Sequence, residues 1–272
     1  MKNIINSIAI LILMLTASSC EEVVDLDLNT IEPLLVIDAA ISVDNGCSVV
    51  ISYTQDFNST EMPASLPGAN VTLTNNTAQS AEQMPYNMMM RAYDSPSLII
   101  EGNEYTLTVE YEGKVYKATE TVPAPVSIDS LYIMRIRMGK EEDPYMSPTI
   151  IFQDPPGERN YYSNILFVNN KRMKSVYIND DEYKNGKTYQ RILPFDSTDN
   201  NDNELKIGDH IRIEMETLAY GSYYFLQTMS SIAAGGGVNP TGNFSGGVLG
   251  YLKAYSSSSI EKTITEEDII DK

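Results

Sequence analysis

The sequence predicts a mainly β protein: a β-sandwich followed by a second β-rich domain with one short helix. Segments that alternate β-branched or aromatic residues with polar ones recur along the chain, as in residues 104–111. Turn residues separate these segments at short intervals, which is typical of sandwiches. A helical period is found only near residues 222–234. We therefore place the sandwich at residues 33–125 and the second domain at residues 126–257.

The predicted sandwich opens with a β-hairpin. Residues 34–41 and 48–53 are rich in aliphatic side chains, and Asn45-Gly46 between them readily adopts the positive φ values of a tight turn. Further strands are predicted at residues 69–74, 102–111 and 114–122. Pro123-Ala124-Pro125 stiffens the exit from the last of these strands and marks the predicted domain boundary.

The second domain combines several predicted strands with the helix. The strands are predicted at residues 126–137, 149–154, 160–169 and 209–217. Ser222 can cap the N-terminus of the helix, and Gly235-Gly236-Gly237 ends it. From residue 256 the chain becomes serine-rich and then acidic, so we expect marginal order there and define residues 258–272 as an acidic tail.

The N-terminus resembles a bacterial lipoprotein signal peptide. Lys2 supplies a positive start, residues 8–15 are apolar without interruption, and three small residues stand directly before Cys20. The apolar run is far shorter than the roughly 20 residues that span a bilayer. We predict that residues 1–19 are removed and that Cys20 is lipidated. The alternative is an ordinary secretory signal with an incidental cysteine.

The strongly negative net charge of the chain argues against nucleic acid and anionic lipid as binding partners. Residues 20–32 form a predicted acidic tether, and the whole chain has 19 Lys and Arg against 37 Asp and Glu, a net charge of −18. Such a field repels phosphate backbones, so no nucleic-acid partner is expected. It also disfavours an electrostatic hold on anionic lipid. Membrane attachment is therefore expected to depend on the acyl chains of Cys20.

The second cysteine is predicted to be structural. If Cys20 is lipidated, Cys47 has no partner for an intramolecular disulfide. Cys47 belongs to an aliphatic segment, and a small buried residue in a strand is the expected role.

The sequence offers little to support catalysis, and we expect no enzymatic activity. His210 is the only histidine, so any Ser-His-Asp or Cys-His arrangement would have to use it. It alternates with Ile211 and Ile213, which predicts a solvent-facing strand residue. A glycosidase needs only two carboxylates about 5 to 9 Å apart. With 37 acidic residues the sequence cannot name such a pair.

Two segments raise the question of metal binding, and no cofactor is predicted from either. Residues 196–204 are rich in oxygen ligands, but the EF-hand register fails because Glu204 stands where glycine is required. The second segment contains Met84, Met88, Met89 and Met90. Thioethers bind Cu(I), yet methionine more often serves as adaptable packing or as an interaction surface, which we favour.

Two other features bear on recognition. The chain has no tryptophan but 18 tyrosines, including the adjacent pairs Tyr161-Tyr162 and Tyr223-Tyr224. Neighbouring residues in a strand point to opposite faces, so one tyrosine of a strand pair should be buried and the other presented. The segment NPTGNFSGG at residues 239–247 is predicted to be either a binding loop or a structural turn.

Taken together, these segments resemble domain-of-unknown-function family 4249, lipoproteins of Bacteroidota. The likeness rests on SSCEEVVDLDL, EPLLVIDAAIS, GANVTLT, GNEYTLTVEYEGKVYKATETVP, FQDPPGERNYY and NPTGNFSGGVLGYLKAYS, in this order. The resemblance implies an immunoglobulin-like or transthyretin-like sandwich, a second β-rich domain, an outer-membrane lipid anchor and proximity to a TonB-dependent transporter. Glu21 and Glu22 resemble a surface-export signal. No catalytic residue is implied.

The expected function is that of an accessory protein at the cell surface. We expect an outer-membrane lipoprotein that helps a TonB-dependent transporter, either by capturing a ligand or by capping the channel. The alternative is a structural or adhesive surface protein that binds other proteins. If a ligand is bound, the pocket is expected near the helix and residues 239–251.

Overall fold

A computed structural model of the chain describes residues 32–56, 59–137, 144–233, 235 and 239–271. Within these ranges the predicted mainly β architecture is confirmed. Contacts gather the chain from Pro33 to Lys272 into one compact unit. The predicted signal peptide, Cys20, Glu21 and Glu22 lie outside the described residues.

The strands and the helix follow one another with short connections. The strands are β1 (Leu35–Ser42), β2 (Gly46–Tyr53), β3 (Asn70–Asn75), β4 (Ser80–Gln83), β5 (Tyr86–Asn87), β6 (Ala92–Asp94), β7 (Glu104–Tyr111), β8 (Lys114–Thr121), β9 (Ile128–Ile136), β10 (Tyr145–Gln153), β11 (Tyr161–Val168), β12 (Lys171–Asp180), β13 (Thr188–Ile192), β14 (His210–Leu218), β15 (Leu249–Thr263) and β16 (Ile269–Asp271). Helix α1 (Tyr220–Ala233) lies between β14 and β15, and 3₁₀ turns form at Ser197–Asn200 and Glu266–Asp268.

These strands form one large sheet and two smaller ones. The large sheet has the order β12-β11-β14-β15-β1-β2-β6-β5. The smaller sheets have the orders β4-β3-β7-β8 and β13-β10-β9-β16. Each smaller sheet packs on a different half of the large one, so two sandwiches share a continuous sheet.

The first sandwich encloses a core of aliphatic and aromatic side chains. Its central residues come from β1, β2, β3, β7 and β8, where apolar residues alternate with polar ones as a half-buried sheet requires. Fully buried examples are Ile37, Val49 and Leu107. Leu252 and Ala254 of β15 complete this core from the far end of the sequence.

The second sandwich has a core of its own between β9, β10 and β13 on one side and β11, β12 and β14 on the other. Ile150, Phe152, Leu166 and Ile213 are fully buried there. The rings of Phe152 and Tyr189 stack at 5.0 Å between centroids. The chain passes from the first core to the second near residue 125, since Val122 packs in the first and Val126 in the second, but Leu252 and Ala254 return to the first core from beyond that point. The predicted domain limits and the immunoglobulin-like or transthyretin-like assignment stay predictions.

Strand β15 belongs to both halves of the molecule. Its first part pairs in parallel with β1, with Gly250 opposite Ile37, and its second part pairs antiparallel with β14.

Two expectations about this region are wrong. Residues 256–263 are strand rather than marginally ordered chain, because Ser256 and Ser258 donate hydrogen bonds to the carbonyls of Pro123 and Val126, both 2.6 Å long.

The second wrong expectation is that Ser222 caps the N-terminus of the helix. The helix begins at Tyr220, and Ser222 is its third residue, fully buried against β15. The Ser222 hydroxyl accepts a hydrogen bond of 2.8 Å from the backbone N–H of Ala254 and contacts the Ala254 carbonyl at 3.3 Å. Ser222, which the sequence predicts to be a helix cap, therefore fixes the helix to the sheet instead.

The close contact at Gly250 provides a test of the β1–β15 pairing. Gly250 has φ +97°, and a Cβ atom there would overlap the carbonyl of Ile37. We expect Gly250→Ala to lower the free energy of unfolding by about 3 kcal/mol or more, since backbone overlap adds to the cost of positive φ. Urea denaturation measures this loss.

Gly247→Ala is the matched control. Gly247 has φ +75°, but its Cβ would meet no atom within 4 Å, so only the conformational cost of about 1 kcal/mol is expected. Equal losses for the two variants would contradict the proposed importance of the contact.

Candidate functional site

A layer of tyrosines covers part of the large sheet on the side that faces away from the two cores. Helix α1 packs on this side, where Leu218, Tyr223 and Tyr255 form a small buried cluster. Residues of β14 alternate, so Leu218 points to the helix while Met215 and Ile213 point into the second core. Ser222 and Phe225 of the helix are also buried, whereas Tyr220, Tyr224 and Met229 are exposed to solvent above the sheet.

Part of this layer is a set of contacting rings, which we call the tyrosine face: Tyr161, Tyr220, Tyr223 and Tyr224. Ring centroids lie 4.6 Å apart for Tyr161 and Tyr223 and 5.5 Å apart for Tyr161 and Tyr220. Tyr220 and Tyr224 stack at 5.9 Å. Tyr220 is 59% exposed and Tyr224 is 39% exposed, so both rings are available to a binding partner.

Charged groups border the tyrosine face at one end. The guanidinium of Arg159 lies 5.9 Å from the centre of the Tyr161 ring and 2.7 Å from the Asp180 carboxylate. The Tyr223 hydroxyl donates to the same carboxylate at 3.3 Å. Partial burial opposes ionisation of Asp180, but the hydrogen bonds and charge of Arg159 outweigh it and lower the pKa of Asp180. The carboxylate therefore stays ionised and orients both neighbours.

The prediction that adjacent strand tyrosines point to opposite faces is confirmed in β11. Tyr161 belongs to the tyrosine face, whereas Tyr162 is fully buried in the second core. The Tyr162 hydroxyl donates to buried Asp154 at 2.5 Å, and Asp154 also accepts from the N–H of Gly186 at 2.8 Å. Burial raises the pKa of Tyr162, so this hydroxyl remains a donor. The pair stabilises the core rather than a binding site.

Residues 239–251 have a structural role next to the helix. The amide of Asn243 donates to the carbonyl of Leu252 at 2.9 Å and accepts from its N–H at 2.8 Å. It also donates to the Glu120 carboxylate at 2.6 Å. Gly221 allows the close approach of Glu120, since a Cβ on Gly221 would overlap the carboxylate. Of the two readings for this segment, the structural turn accounts for these contacts.

Two clefts of about 290 Å³ each lie in the first sandwich. One is lined mainly by aliphatic residues around Leu73 and Tyr105, with the carboxylate of Glu82 at its wall. Ser95 and Ser97 donate hydrogen bonds to Glu82. The other lies beside Met84 and Tyr93. Their volumes are at the lower end of those of small-molecule sites.

Cys47, predicted to be buried, and His210, predicted to face solvent, both lie where they were expected. Cys47 is 2% exposed in β2, and its burial raises the pKa of the thiol to about 12. His210 starts β14, with Ile211 and Ile213 buried on the opposite face. Its imidazole lies 3.8 Å from the carboxylate of Glu261 on a partly exposed surface.

In the first candidate metal segment, residues 196–204, the carboxylates accept hydrogen bonds from the protein itself. Asp196 accepts a hydrogen bond from Thr198 at the start of a 3₁₀ turn, and Asp199 accepts from the N–H groups of Lys174 and Ser175. Asp196 thus caps its own 3₁₀ turn, and Asp199 joins this turn to β12. Across the described ranges, no three side chains of His, Cys, Asp or Glu are grouped closely enough to bind a metal ion.

The methionine segment divides into a buried and an exposed part. Met84 is 2% exposed and packs in the first core, as the packing interpretation predicted. Met88, Met89 and Met90 form the turn between β5 and β6 and are highly exposed. These three side chains extend from a turn and not from a strand.

Sequence reasoning did not find the tyrosine face as a unit. It named two of the tyrosine pairs, but the contact between Tyr161 and the helix depends on how α1 crosses the sheet. In the part of the chain that the structure describes, no helix is both long enough and apolar enough for a membrane span.

Comparison with known proteins identifies the chain at the level of its family. The model of a family described as "Domain of unknown function (DUF4249)" matches residues 21–261. The chain belongs to this family. No curated protein matches it. The match starts next to Cys20 and includes β15 almost to its end, so it covers both sandwiches and the tyrosine face.

Glu120 gives a pH-dependent test of the contact between helix α1 and residues 239–251. Burial raises the pKa of Glu120 above its ordinary value, and the hydrogen bond from Asn243 opposes this more weakly. The protonated Glu120 side chain therefore contributes its full stabilisation of the folded state below about pH 4.5. This stabilisation is lost as the pH rises through the raised pKa, because the buried carboxylate then becomes charged. Glu120→Gln should be more stable than the wild type at pH 7, with a difference that shrinks at low pH.

Urea unfolding between pH 4 and 8 measures this difference. Glu101→Gln is the control, because Glu101 is exposed and its charge is solvated. An advantage of Glu120→Gln that does not change with pH would contradict the assignment.

Proposed function

We propose that this protein is a surface-exposed outer-membrane lipoprotein that serves as a non-enzymatic accessory of a TonB-dependent transporter. In this proposal the acyl chains of Cys20 attach it to the membrane, and the acidic tether of residues 20–32 gives it reach. Glu21 and Glu22 act as the surface-export signal. The tyrosine face is the docking surface for the transporter.

The observation that carries the proposal is the composition and exposure of the tyrosine face. Tyrosine and arginine are enriched among the residues that dominate protein–protein binding energy, and tyrosine buries much area at a small entropic cost. Here Tyr220 and Tyr224 offer exposed rings, while Arg159 is held at the border by Asp180. Met229, 48% exposed on the same helix, adds adaptable apolar area.

The geometry around His210 supports a non-enzymatic role. The neighbour of the imidazole is Glu261, and the side chains of His210 and Glu261 are 38% and 64% exposed at the start of β14. A general base normally works in a concave site that excludes water, so this solvent-exposed pair is poorly suited to catalysis. The Cys47 thiol, with its raised pKa, is unsuited to nucleophilic attack. A ligand captured for the transporter would then be bound without chemical change, and the cleft beside Glu82 is a candidate for it.

The second candidate function is that of a structural or adhesive surface protein. The exposure of Met88, Met89 and Met90 favours it, since apolar patches at a surface mark interaction sites. In that case the tyrosine face would bind other surface proteins, and no transporter would be required.

The lipid anchor is tested by Cys20→Ala. We expect the variant to be released in soluble form or to remain unprocessed, because the sulfur that carries the acyl chain is missing. Fractionation of membranes and mass measurement of the mature N-terminus detect this. Protease treatment of intact cells reports whether the wild-type protein faces the exterior. Unchanged membrane partitioning of the variant would contradict lipidation.

The docking surface is tested by purification from membranes solubilised in mild detergent. Wild-type protein should recover a TonB-dependent transporter, and Tyr220→Ala/Tyr224→Ala should reduce the recovery at least about tenfold, as expected for two central aromatic residues. Thermal stability should change little, since both side chains are exposed.

Tyr111→Ala is the control for the loss of a tyrosine, because Tyr111 lies in the first sandwich. Recovery of other surface proteins in place of a transporter would favour the adhesive function. Equal recovery with the double variant would refute the role of the tyrosine face.

A further inference from the structure

We propose that the end of the first sandwich that carries Met88, Met89 and Met90 rests on the lipid bilayer. This inference rests on the proposed lipid anchor at Cys20. It adds a second membrane contact, made by the folded domain itself, which fixes how the protein is oriented above the membrane.

The first observation is the exposure of three consecutive methionines in a well-defined turn. Met88 is 84% exposed, Met89 is 94% exposed and Met90 is 70% exposed. The side chain of Asn87 accepts hydrogen bonds from the N–H groups of Met89 and Met90, at 3.0 and 3.2 Å. The turn is thus held in shape by its polar groups while its apolar side chains point outward.

The strand register shows at which end of the sandwich this turn lies. Ser48 pairs with Asp94 and Val49 pairs with Tyr93, so the chain from β6 back to the turn runs towards the C-terminal end of β2. At that end Tyr53 pairs with Leu35, the first residue of β1. The methionine turn therefore lies at the end of the sheet where the chain enters from the tether.

Further apolar residues are exposed at the same end. Leu34 is 48% exposed, and its carbonyl accepts a hydrogen bond from the N–H of Thr54 directly after β2. Met62 is 85% exposed in the connection that leaves β2 at this end and returns to it, where the N–H of Leu66 donates to the carbonyl of Ile51. Together with the turn they form what we call the methionine end: Leu34, Met62, Met88, Met89 and Met90.

The position of the anchor makes a lipid surface the fitting occupant. The chain between Cys20 and Leu34 spans at most roughly 50 Å when fully extended. It joins the sandwich at the methionine end, so a bilayer that holds the acyl chains lies within reach of this end. Methionine is flexible and apolar, and can adapt to the irregular boundary between headgroups and acyl chains.

The charges nearby indicate the kind of contact. The Tyr53 hydroxyl donates to the carboxylate of Glu112 at 3.2 Å, which places an acid beside the methionine end, and Glu61 is next to Met62 in the sequence. Arg91, exposed directly after Met90, and Lys114, at the start of β8, balance these two carboxylates, so there is no basic cluster among them to attract anionic lipid. The contact is therefore expected to be apolar and to need no anionic lipid, unlike that of a basic amphipathic surface.

The opposite end of the same sandwich offers a matched comparison. Leu98 is 88% exposed, and the chain that bears it follows Ser95, which donates its N–H to the carbonyl of Cys47 at the start of β2. Leu98 is thus an exposed apolar residue of similar size, at the end remote from the tether.

The test uses the full lipidated chain, purified in detergent and reconstituted into phosphatidylcholine vesicles. Met89→Cys and Leu98→Cys are each labelled with a nitrobenzoxadiazole fluorophore. The background is low, because Cys47 is 2% exposed and the sulfur of Cys20 carries an acyl chain. Nitroxide-labelled lipids then quench any fluorophore that lies in the bilayer interface.

We expect the label at residue 89 to shift to shorter wavelength on reconstitution and to be quenched several-fold more than the label at residue 98. Adding anionic lipid should not increase the quenching. A second variant, Met88→Gln/Met90→Gln with the label still at residue 89, should lose most of it, because glutamine has nearly the volume of methionine but is polar.

Each other outcome overturns the proposal in a distinct way. If the labelled proteins float with the vesicles but residues 89 and 98 are quenched equally, the anchor stands and the methionine end does not contact lipid. If residue 89 is shielded only in native membranes that contain a transporter, this end binds protein instead. If neither variant floats with vesicles, the anchor at Cys20 fails, and the inference fails with it.

Discussion

The parallel pairing of β15 with β1 is the interaction on which the rest of the structure depends. It joins the two halves of the large sheet, and through Leu252 and Ala254 it supplies the last part of the first core. The same strand continues along β14, where Ile260 packs against the second core. Neither sandwich is complete without a strand that comes from the end of the sequence, so the two cores are linked in stability as well as in space.

The same strand determines where the candidate site forms. The first part of β15 has β1 on one edge only, and its other edge would leave N–H and C=O groups unpaired. The side chains of Ser222 and Asn243 accept hydrogen bonds from the backbone N–H groups of Ala254 and Leu252 on this edge. This arrangement fixes the start of helix α1 against the sheet, and the helix in turn brings Tyr220 and Tyr224 beside β11.

Much of the fold could be predicted because alternation of apolar residues marks half-buried strands, as in β7 and β14. Strands β12 and β13 were missed, since they lie at sheet edges and their polar residues show no clear period. The serines of β15 suggested a loop because serine favours turns, whereas Ser256 and Ser258 find backbone acceptors inside the fold. The tyrosine face depends on how distant elements pack, and no local pattern reports that.

The long separation between β1 and β15 also affects how the chain folds. Until β15 pairs with β1, the edge of β1 that it will cover remains open, with apolar side chains such as Ile37 and Ile41 beside it. Incompletely folded and truncated chains therefore present an unpaired strand that can pair with strands of other chains, and a chaperone that covers this edge would protect them until β15 is in place.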